Sequence, residues 1–495
     1  MATISGNTKA RARRSTDLGG LPLASLPLAV LVPVALMGPN TLLALYACAG
    51  LVIGVILLWR PQEPPILLFV FLYQWVQATI GTFYSNLLGL PVAGLAEHSG
   101  QHGVAIRLLI TGLIVLAVAM WVAAGRARLD LASQFREMVR SYSHRTFVTI
   151  YVVTWVFSSA FAAAAPFSGG LQQVFLIFAE VKWAAFLLLT ASTFGLPRRS
   201  KFPWAVALVV EFGLAVGGFF AEFSSAFYYS LIGIAFAASD LLRRNKTVIS
   251  VLVVTMLAFA IAWTAVKRDY RDFINQGSSE QVVLVGYQQR MTDLFDRIAG
   301  LDGAGMADGA DKLARRLSYF EFFGVVLQQN ARGQPHSGGE IWGSAALSPL
   351  TPRVLFPGKP IVNDTALTIK YTGLNPAAWR TGTSISLGYM TEAFIDFGPY
   401  GMFAAIAALG LMIGLIYRWL LWQKGWRLII GASFVPVALM PAHLLEISAV
   451  KLLPALALSV LAGWIILVFL GPMLLRWVGM IRRKPLEPHL GQRAS

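Results

Sequence analysis

The sequence predicts an all-α polytopic integral membrane protein, with about twelve transmembrane helices and one large outer loop that contains short helices. Hydrophobic residues make up 56% of the 495 residues and charged residues only 13%. The mean hydropathy is +0.64. A soluble protein of this length could not bury so much apolar side chain in its core. One polar interval, Lys267 to Pro399, separates two regions that have the composition of membrane helices.

Apolar runs place the transmembrane helices on both sides of that interval. A helix needs about 20 apolar residues to cross the hydrocarbon core. The N-terminal region, 1–266, should hold about nine helices and the C-terminal region, 398–478, about three, before a tail at 479–495. The predicted spans are 21–38, 41–59, 65–90, 103–125, 146–165, 171–195, 203–220, 223–242, 247–266, 398–418, 428–448 and 452–475.

Lysine and arginine predict the orientation, because these residues concentrate in cytoplasmic connections. Alternate connections carry basic residues, and the short connections between them carry almost none; examples are Arg60, Arg128, Arg198, Arg243 and Arg418. We therefore expect a bacterial inner-membrane protein with both termini and the tail in the cytoplasm. The large loop, 267–397, would be periplasmic.

The net charge of +16 does not indicate nucleic-acid binding. Thirteen basic and thirteen acidic residues occur between Lys267 and Pro399, so the loop is nearly neutral and the excess charge lies in the cytoplasmic connections. The single cysteine, Cys48, excludes an intramolecular disulfide and a cysteine-based metal site. The histidines have no ligand spacing, so we expect neither a metal nor a cofactor.

Several shorter segments show helical periodicity. The segment 129–143 has apolar residues on one face and arginines on others, which predicts a helix lying on the cytoplasmic membrane surface. Within the loop, 282–300 and 312–329 predict two further helices. The glycine- and aspartate-rich stretch between them, 301–311, is interpreted as a flexible turn.

Charged residues inside the spans need partners or a function, because lipid does not solvate them. Lys182 could pair with Glu211, and Glu180 with Arg107, but the sequence does not decide between these pairings and others.

Two motifs close to the end of the loop carry a family resemblance. They are PRVLFPGKP at 352–360 and TGTSISLGYMTEAFIDFGPYGM at 381–402. Over these residues the chain resembles the Wzy-type oligosaccharide repeat-unit polymerases of O-antigen and exopolysaccharide assembly, which are similar in fold to O-antigen ligases. The resemblance implies a glycosyltransferase that moves a growing glycan from undecaprenyl pyrophosphate to a lipid-linked oligosaccharide repeat unit at the periplasmic face. It also implies contact with membrane lipid, a chain-length-regulating copolymerase and other polysaccharide assembly proteins.

The implied chemistry indicates which side chains to seek. The departing pyrophosphate needs cations, and Arg353 in the proline-rich segment is our first candidate. Glu392 is our candidate for the catalytic base or acceptor-orienting carboxylate, because it lies among apolar neighbours near the membrane. Weaker alternatives to it are Asp364, Asp396 and His336. The remaining candidates for pyrophosphate binding are Lys359, Arg290, Arg315, Arg316 and Arg380, and those for sugar contacts are Tyr287, Tyr371 and Tyr389.

Two other functions stay open at this point. A ligase would move finished glycan to another acceptor with the same donor chemistry. A flippase or other transporter would use the intramembrane charges, although it would not need a loop of this length and motif density.

Overall fold

The computed structural model gives an all-helical chain, with no strand among the residues that it describes. Those residues are 21–128, 130–196, 198–216, 218, 223–237, 246–278, 282–351, 355–356, 358–359, 363–374 and 385–480.

The helices before the loop are α1 Leu21–Met37, α2 Thr41–Leu58, α3 Ile66–Leu87, α4 His102–Ala124, α5 Leu131–Arg140, α6 His144–Ala164, α7 Gln172–Ala179, α8 Lys182–Gly195, α9 Phe202–Val216, α10 Ser224–Ala237 and α11 Lys246–Ile274. Those that follow are α12 Tyr287–Ala299, α13 Gly303–Leu317, α14 Glu321–Ala331, α15 Glu340–Leu347, α16 Asp364–Thr372, α17 Tyr389–Leu421, α18 Trp426–Leu439, α19 Ala449–Ile465 and α20 Gly471–Trp477.

Nine helical segments in the described part of the chain are long and apolar enough to cross a membrane, which supports the prediction of an α-helical membrane protein. They are Thr41–Leu58, Ile66–Leu87, His102–Ala124, His144–Phe167, Gly169–Gly195, Lys246–Ile274, Tyr389–Leu421, Trp426–His443 and Ala449–Trp477. The other predicted spans correspond to shorter apolar helices at Pro27–Met37, Phe202–Val216 and Ser224–Ala237.

Three helices differ clearly from the predicted boundaries. The span predicted at 428–448 ends early, because its α-helix stops at Leu439 and a 3-10 turn at Met440–His443 leads into extended chain. Helix α11 continues to Ile274, two turns beyond the predicted end of its span, and its 29 residues would extend about 43 Å. Helix α17 begins at Tyr389, before the predicted start, and has a kink at Gly398, where φ is 72°. Pro399 follows the kink, and proline cannot donate the next helical hydrogen bond. The motif TEAFIDF is therefore a largely buried helical segment ahead of the kink.

Helices α4 and α17 pack closely against each other. Gly410 and Gly414 of α17 face α4, where an added Cβ would lie 2.8 Å from the Leu116 carbonyl oxygen and 2.6 Å from that of Met120. Small residues four apart let two helix backbones approach in this way. This pair fixes α17, and with it the TEAFIDF segment, against the rest of the bundle.

At one end of the bundle, arginines of the chain segments between helices bind residues of neighbouring helices and connections. The Arg60 Nε atom lies 2.5 Å from Glu63 Oε2, and the Tyr417 hydroxyl donates to the same oxygen at 2.9 Å. Arg128 donates to the Leu421 carbonyl oxygen at 2.7 Å. The first helical turns of α3 thus meet the last turns of α17 at this end.

The loop helices lie at the opposite end, and one of them corrects a prediction. Residues 301–311 are not a flexible turn, because helix α13 begins at Gly303 and Asp302 caps it by accepting the Gly305 amide at 2.7 Å. The small residues of this stretch allow close contact with α11. A Cβ on Gly309 would lie 2.6 Å from the Ile261 carbonyl oxygen. The second predicted loop helix is correspondingly divided into α13 and α14.

The structure also shows a helix in the segment 129–143 and decides one pairing that the sequence left open. Helix α5 forms within the predicted segment 129–143, and its apolar residues Leu131, Phe135 and Val139 are buried against the bundle. Lys182 pairs with Glu211, with 2.6 Å between Nζ and Oε2.

Candidate functional site

The site is organised around a break between α18 and α19. After the short 3-10 turn Met440–His443, the chain is extended at Leu444 and Ser448 before α19 starts. Backbone amide and carbonyl groups that are buried outside a helix need partners from elsewhere in the protein. We call residues 440–448 the break.

Helix α3 supplies two of these partners from the buried residues Gln74 and Gln77. The Gln74 Nε2 group donates to the Ala442 carbonyl oxygen at 2.6 Å. The Gln77 Oε1 atom accepts the Leu445 amide at 2.7 Å. Because the two glutamines are three positions apart, they lie on one face of α3 and hold both sides of the break.

Helix α17 supplies the other partners. Glu392 Oε2 accepts the Ala449 amide at 2.7 Å, which places a carboxylate at the N-terminus of α19, where the helix dipole favours negative charge. The Tyr389 amide donates to the Ile447 carbonyl oxygen at 2.8 Å. The first turns of α17, which include Glu392 of the TEAFIDF segment, therefore fix the end of the break next to α19.

Aromatic rings lie beside the break on the α3 and α10 side. The ring centroids of Tyr73 and His443 are 4.7 Å apart, and those of Tyr228 and His443 are 6.0 Å apart. All three side chains are half-buried. We call Tyr73, Tyr228 and His443 the aromatic floor.

Glu446 lies in the break and is half-buried. Burial raises the pKa of its carboxyl group, and the positive charge of Arg316 partly lowers it again. Tyr73 and Tyr319 are its other electrostatic neighbours. The carboxylate thus faces a cation in a partly desolvated setting.

Four basic residues converge at this place from two helices. Lys267 and Arg271 lie on the last turns of α11, and Lys312 and Arg316 lie on α13. The charged groups that act on Lys267 are the other three, all of them positive. We call these four residues the cationic cluster. Like charges repel, so an anion bound among them would be strongly favoured.

Two members of the cluster have no ion pair within the described part of the chain. Lys312 pairs with Asp308 at 2.6 Å. Lys267 and Arg316 have no carboxylate oxygen within 4.0 Å among the described residues. Arg316 also lines a cavity of about 320 Å³ between α13 and the turn before α4. The cavity is bounded by Leu95, Ala96, Glu97, Lys312, Arg315, Arg316, Ser318, Phe320 and Glu321.

Only one of the residues predicted to bind pyrophosphate lies in the cationic cluster. Arg353 and Arg380 lie outside the described residues. Arg316 belongs to the cationic cluster, whereas its neighbour Arg315 pairs with Asp311 at 2.8 Å. Lys359 and Arg290 form their contacts elsewhere: the Lys359 Nζ atom donates to the Ser348 carbonyl oxygen at 2.9 Å, and the Arg290 guanidinium lies over the Tyr287 ring.

The predicted carboxylates all have protein partners. Glu392 is 1% exposed and accepts the Ala449 amide. Asp396 accepts the Trp342 amide at the start of α15 at 2.7 Å, and Asp364 pairs with Lys451 at 2.6 Å. A catalytic role for Glu392 stays a prediction, while its contacts favour a positioning role.

The other predicted contacts vary in exposure. His336 has Nδ1 3.0 Å from the Phe394 carbonyl oxygen, beside the TEAFIDF helix. Tyr371 and Tyr389 are buried, and the Tyr389 hydroxyl donates to Gln74 Oε1 at 2.7 Å. Tyr287 is 50% exposed and donates to the Gly213 carbonyl oxygen. Of the three predicted tyrosines, Tyr287 alone has an exposed ring.

Sequence reasoning assigned no role to most residues of the site: Lys267, Arg271, Lys312, Gln74, Gln77, Tyr73, Tyr228 and His443. Glu446 was a candidate only as one of the charges within or near the ends of the spans. The two glutamines carried a usable signal, because two amides three positions apart interrupt an apolar span. Lys267 fell at the predicted end of a span, where a lysine is ordinary. Glu446 lay close to the predicted end of its span.

Residues 104–420 match a family described as a domain of unknown function (DUF8712). No curated protein and no solved structure matches the chain.

Proposed function

The chain belongs to the DUF8712 family, and we propose that it is a glycosyltransferase that joins oligosaccharide repeat units carried on undecaprenyl pyrophosphate. The observation that carries the proposal is the pair of cations Lys267 and Arg316. They face one another without an ion pair among the described residues, beside a carboxylate and an aromatic floor. The proposed relationship to Wzy-type polymerases rests on the two loop motifs.

The cations suit the charge that the reaction develops. When the bond between the anomeric carbon and the pyrophosphate oxygen breaks, the leaving group gains negative charge. A guanidinium can meet two phosphate oxygens with paired hydrogen bonds, and an ammonium acts as a compact charge. Arg316 and Lys267 provide one of each, and Arg271 and Lys312 add to the positive potential. The donor is already activated, so no nucleotide is needed.

The position of the cluster suits a substrate with a lipid tail. Helix α11 is long enough that its last turns would project from the hydrocarbon core, which is about 30 Å thick. Lys267 and Arg271 lie on those turns, at the level where the headgroup of a membrane-bound carrier would be. The aromatic floor offers apolar ring faces to a sugar in the same place.

We further propose that this end of the bundle faces the periplasm of a bacterial inner membrane, with both chain termini in the cytoplasm. The support is the distribution of charge. Arg60 and Arg128 lie in connections at the opposite end and Arg418 in the last turn of α17, and positive residues at helix ends and connections are generally cytoplasmic. A chain-length-regulating copolymerase and other polysaccharide assembly proteins are the proposed partners.

The test replaces the two cations in the source organism. Lys267→Ala or Arg316→Ala, expressed in cells that lack the native gene, should abolish long polysaccharide chains on a gel and leave single repeat units. The matched control is Arg268→Ala, since Arg268 is exposed and adjacent to Lys267 but is not among the charged groups that act on Lys267. Membrane levels of each variant are measured in parallel.

An unchanged ladder with both cluster variants would contradict the proposal. Chains that are made but remain unattached to their final acceptor would indicate a ligase. Repeat units that accumulate on the cytoplasmic face would indicate a flippase.

A further inference from the structure

Glu446 differs from the deeply buried carboxylates of the described bundle in having no partner. The others are each engaged by a cation or an amide: Glu63 by Arg60, Glu211 by Lys182, Asp364 by Lys451, Glu392 by Ala449 and Asp396 by Trp342. Within the described residues Glu446 forms neither a hydrogen bond nor an ion pair. Its oxygens are therefore available to another molecule.

The protein nevertheless holds Glu446 firmly in place. The residues on either side of it are tied by their backbones, Leu445 to Gln77 and Ile447 to Tyr389. A short, irregular segment fixed from two helices can present one side chain in one direction. A Cβ added to Gly388 would lie 3.4 Å from the Glu446 Cα atom and 3.1 Å from Cε1 of Tyr319, so Glu446 lies beside the turn that follows α13, and the nearby charge that acts on its carboxyl group is Arg316.

We propose that Glu446 is the proton acceptor of the transfer reaction, an inference that rests on the proposed function. In that step the acceptor hydroxyl oxygen forms a bond to the anomeric carbon of the donor. The bond from that carbon to the pyrophosphate oxygen breaks, and its electron pair leaves with the pyrophosphate. The hydroxyl proton passes to a Glu446 carboxylate oxygen, and Arg316 and Lys267 neutralise the departing charge.

The surroundings of Glu446 fit this role. The groups that face it are Arg316 from α13, Tyr319 from the turn after α13 and Tyr73 from α3. Burial raises the pKa of Glu446 above its ordinary value, which makes the carboxylate a stronger base, and the positive charge of Arg316 opposes that rise. The activity should therefore fall as the pH decreases through the raised pKa of Glu446.

The experiment uses the full chain in lipid nanodiscs with lipid-pyrophosphate-linked repeat units extracted from cells that lack the polymerase. Glu446→Gln should lower turnover at least about 100-fold, as expected for loss of a general base. Donor binding should stay within about threefold of wild type, and the acid limb of the pH profile should disappear. Glu446→Asp should retain intermediate turnover with a shifted acid limb. Glu340→Gln, at an exposed position of the loop, is the matched control and should behave as wild type.

Two results would overturn the inference. One is Glu446→Gln turnover within about threefold of wild type, and the other is an acid limb that persists in that variant. If Arg316→Ala and Lys267→Ala abolish turnover while Glu446→Gln does not, only the role of Glu446 fails. If all three variants turn over normally, the proposed function fails as well.

Discussion

Replacing Glu392 separates a positioning role from a chemical one. Glu392→Gln and Glu392→Met both remove the negative charge, but only glutamine keeps an oxygen that can accept the Ala449 amide. Asp364, Asp396 and Lys451 act on Glu392 electrostatically, and both variants lose these charge interactions equally. The two variants therefore differ chiefly in one hydrogen bond, measured at 2.7 Å in the native chain.

The size of the difference follows from that bond. An amide left without a partner at a buried helix start costs about 1–3 kcal/mol. Glu392→Met should lose that much free energy of unfolding, and its turnover should fall because the break no longer holds Glu446. Glu392→Gln should stay within about 1 kcal/mol of wild type and keep most of its turnover.

The assay pairs thermal unfolding in one fixed detergent with turnover in nanodiscs. The positioning account is refuted if Glu392→Gln is stable but as inactive as Glu392→Met. That result would show that the carboxylate itself acts on the substrate.

Three further predictions concern stability in the same detergent. Lys182→Met should lower the free energy of unfolding by about 3–5 kcal/mol, because it leaves the buried Glu211 carboxylate without its ion-pair partner. Adding Glu211→Gln should recover much of that loss, and no recovery would refute the pairing. Gly309→Ala should lower the melting temperature because its Cβ would meet a backbone oxygen at 2.6 Å, whereas Gly303→Ala, in open space on the same helix, should not; equal shifts would contradict the close contact. Hydrogen bonds from the Arg315 guanidinium and the Tyr84 hydroxyl hold the pKa of Asp311 below its ordinary value. Ionised Asp311 therefore stabilises the fold above the pKa of the unfolded state, and this stabilisation is lost as the pH falls through the lowered pKa of the folded state. The loss of stability caused by Asp311→Asn should accordingly vanish in acid, and a loss that does not depend on pH would contradict the prediction.

The sequence was informative about helices because hydropathy reports local composition. Every predicted span overlaps an apolar helix of the described residues. Nine helical segments are long and apolar enough to cross a membrane, and the other three predicted spans overlap shorter helices. The turn predicted at 301–311 was wrong because glycine and aspartate were read as breakers. In the folded chain Asp302 is a cap, and Gly309 gives close contact between α13 and α11.

The site was harder to predict because it depends on which charges lack partners. Arg315 and Arg316 are adjacent and look equivalent in the sequence, yet only Arg315 forms an ion pair among the described residues. Glu392 stood out within a motif, while Glu446 carried no motif at all. Their difference appears only when α17, the break and α13 are placed together.

The most direct test of the account is a binding measurement on the cationic cluster. The dissociation constants of a polyisoprenyl pyrophosphate and of the matching polyisoprenyl alcohol are measured for the wild-type chain in nanodiscs. The same pair is then measured for the Lys267→Ala/Arg316→Ala double variant. We expect the pyrophosphate to bind at least about tenfold more tightly than the alcohol to wild type, and this preference to disappear in the double variant. An equal preference in both proteins would contradict the central claim.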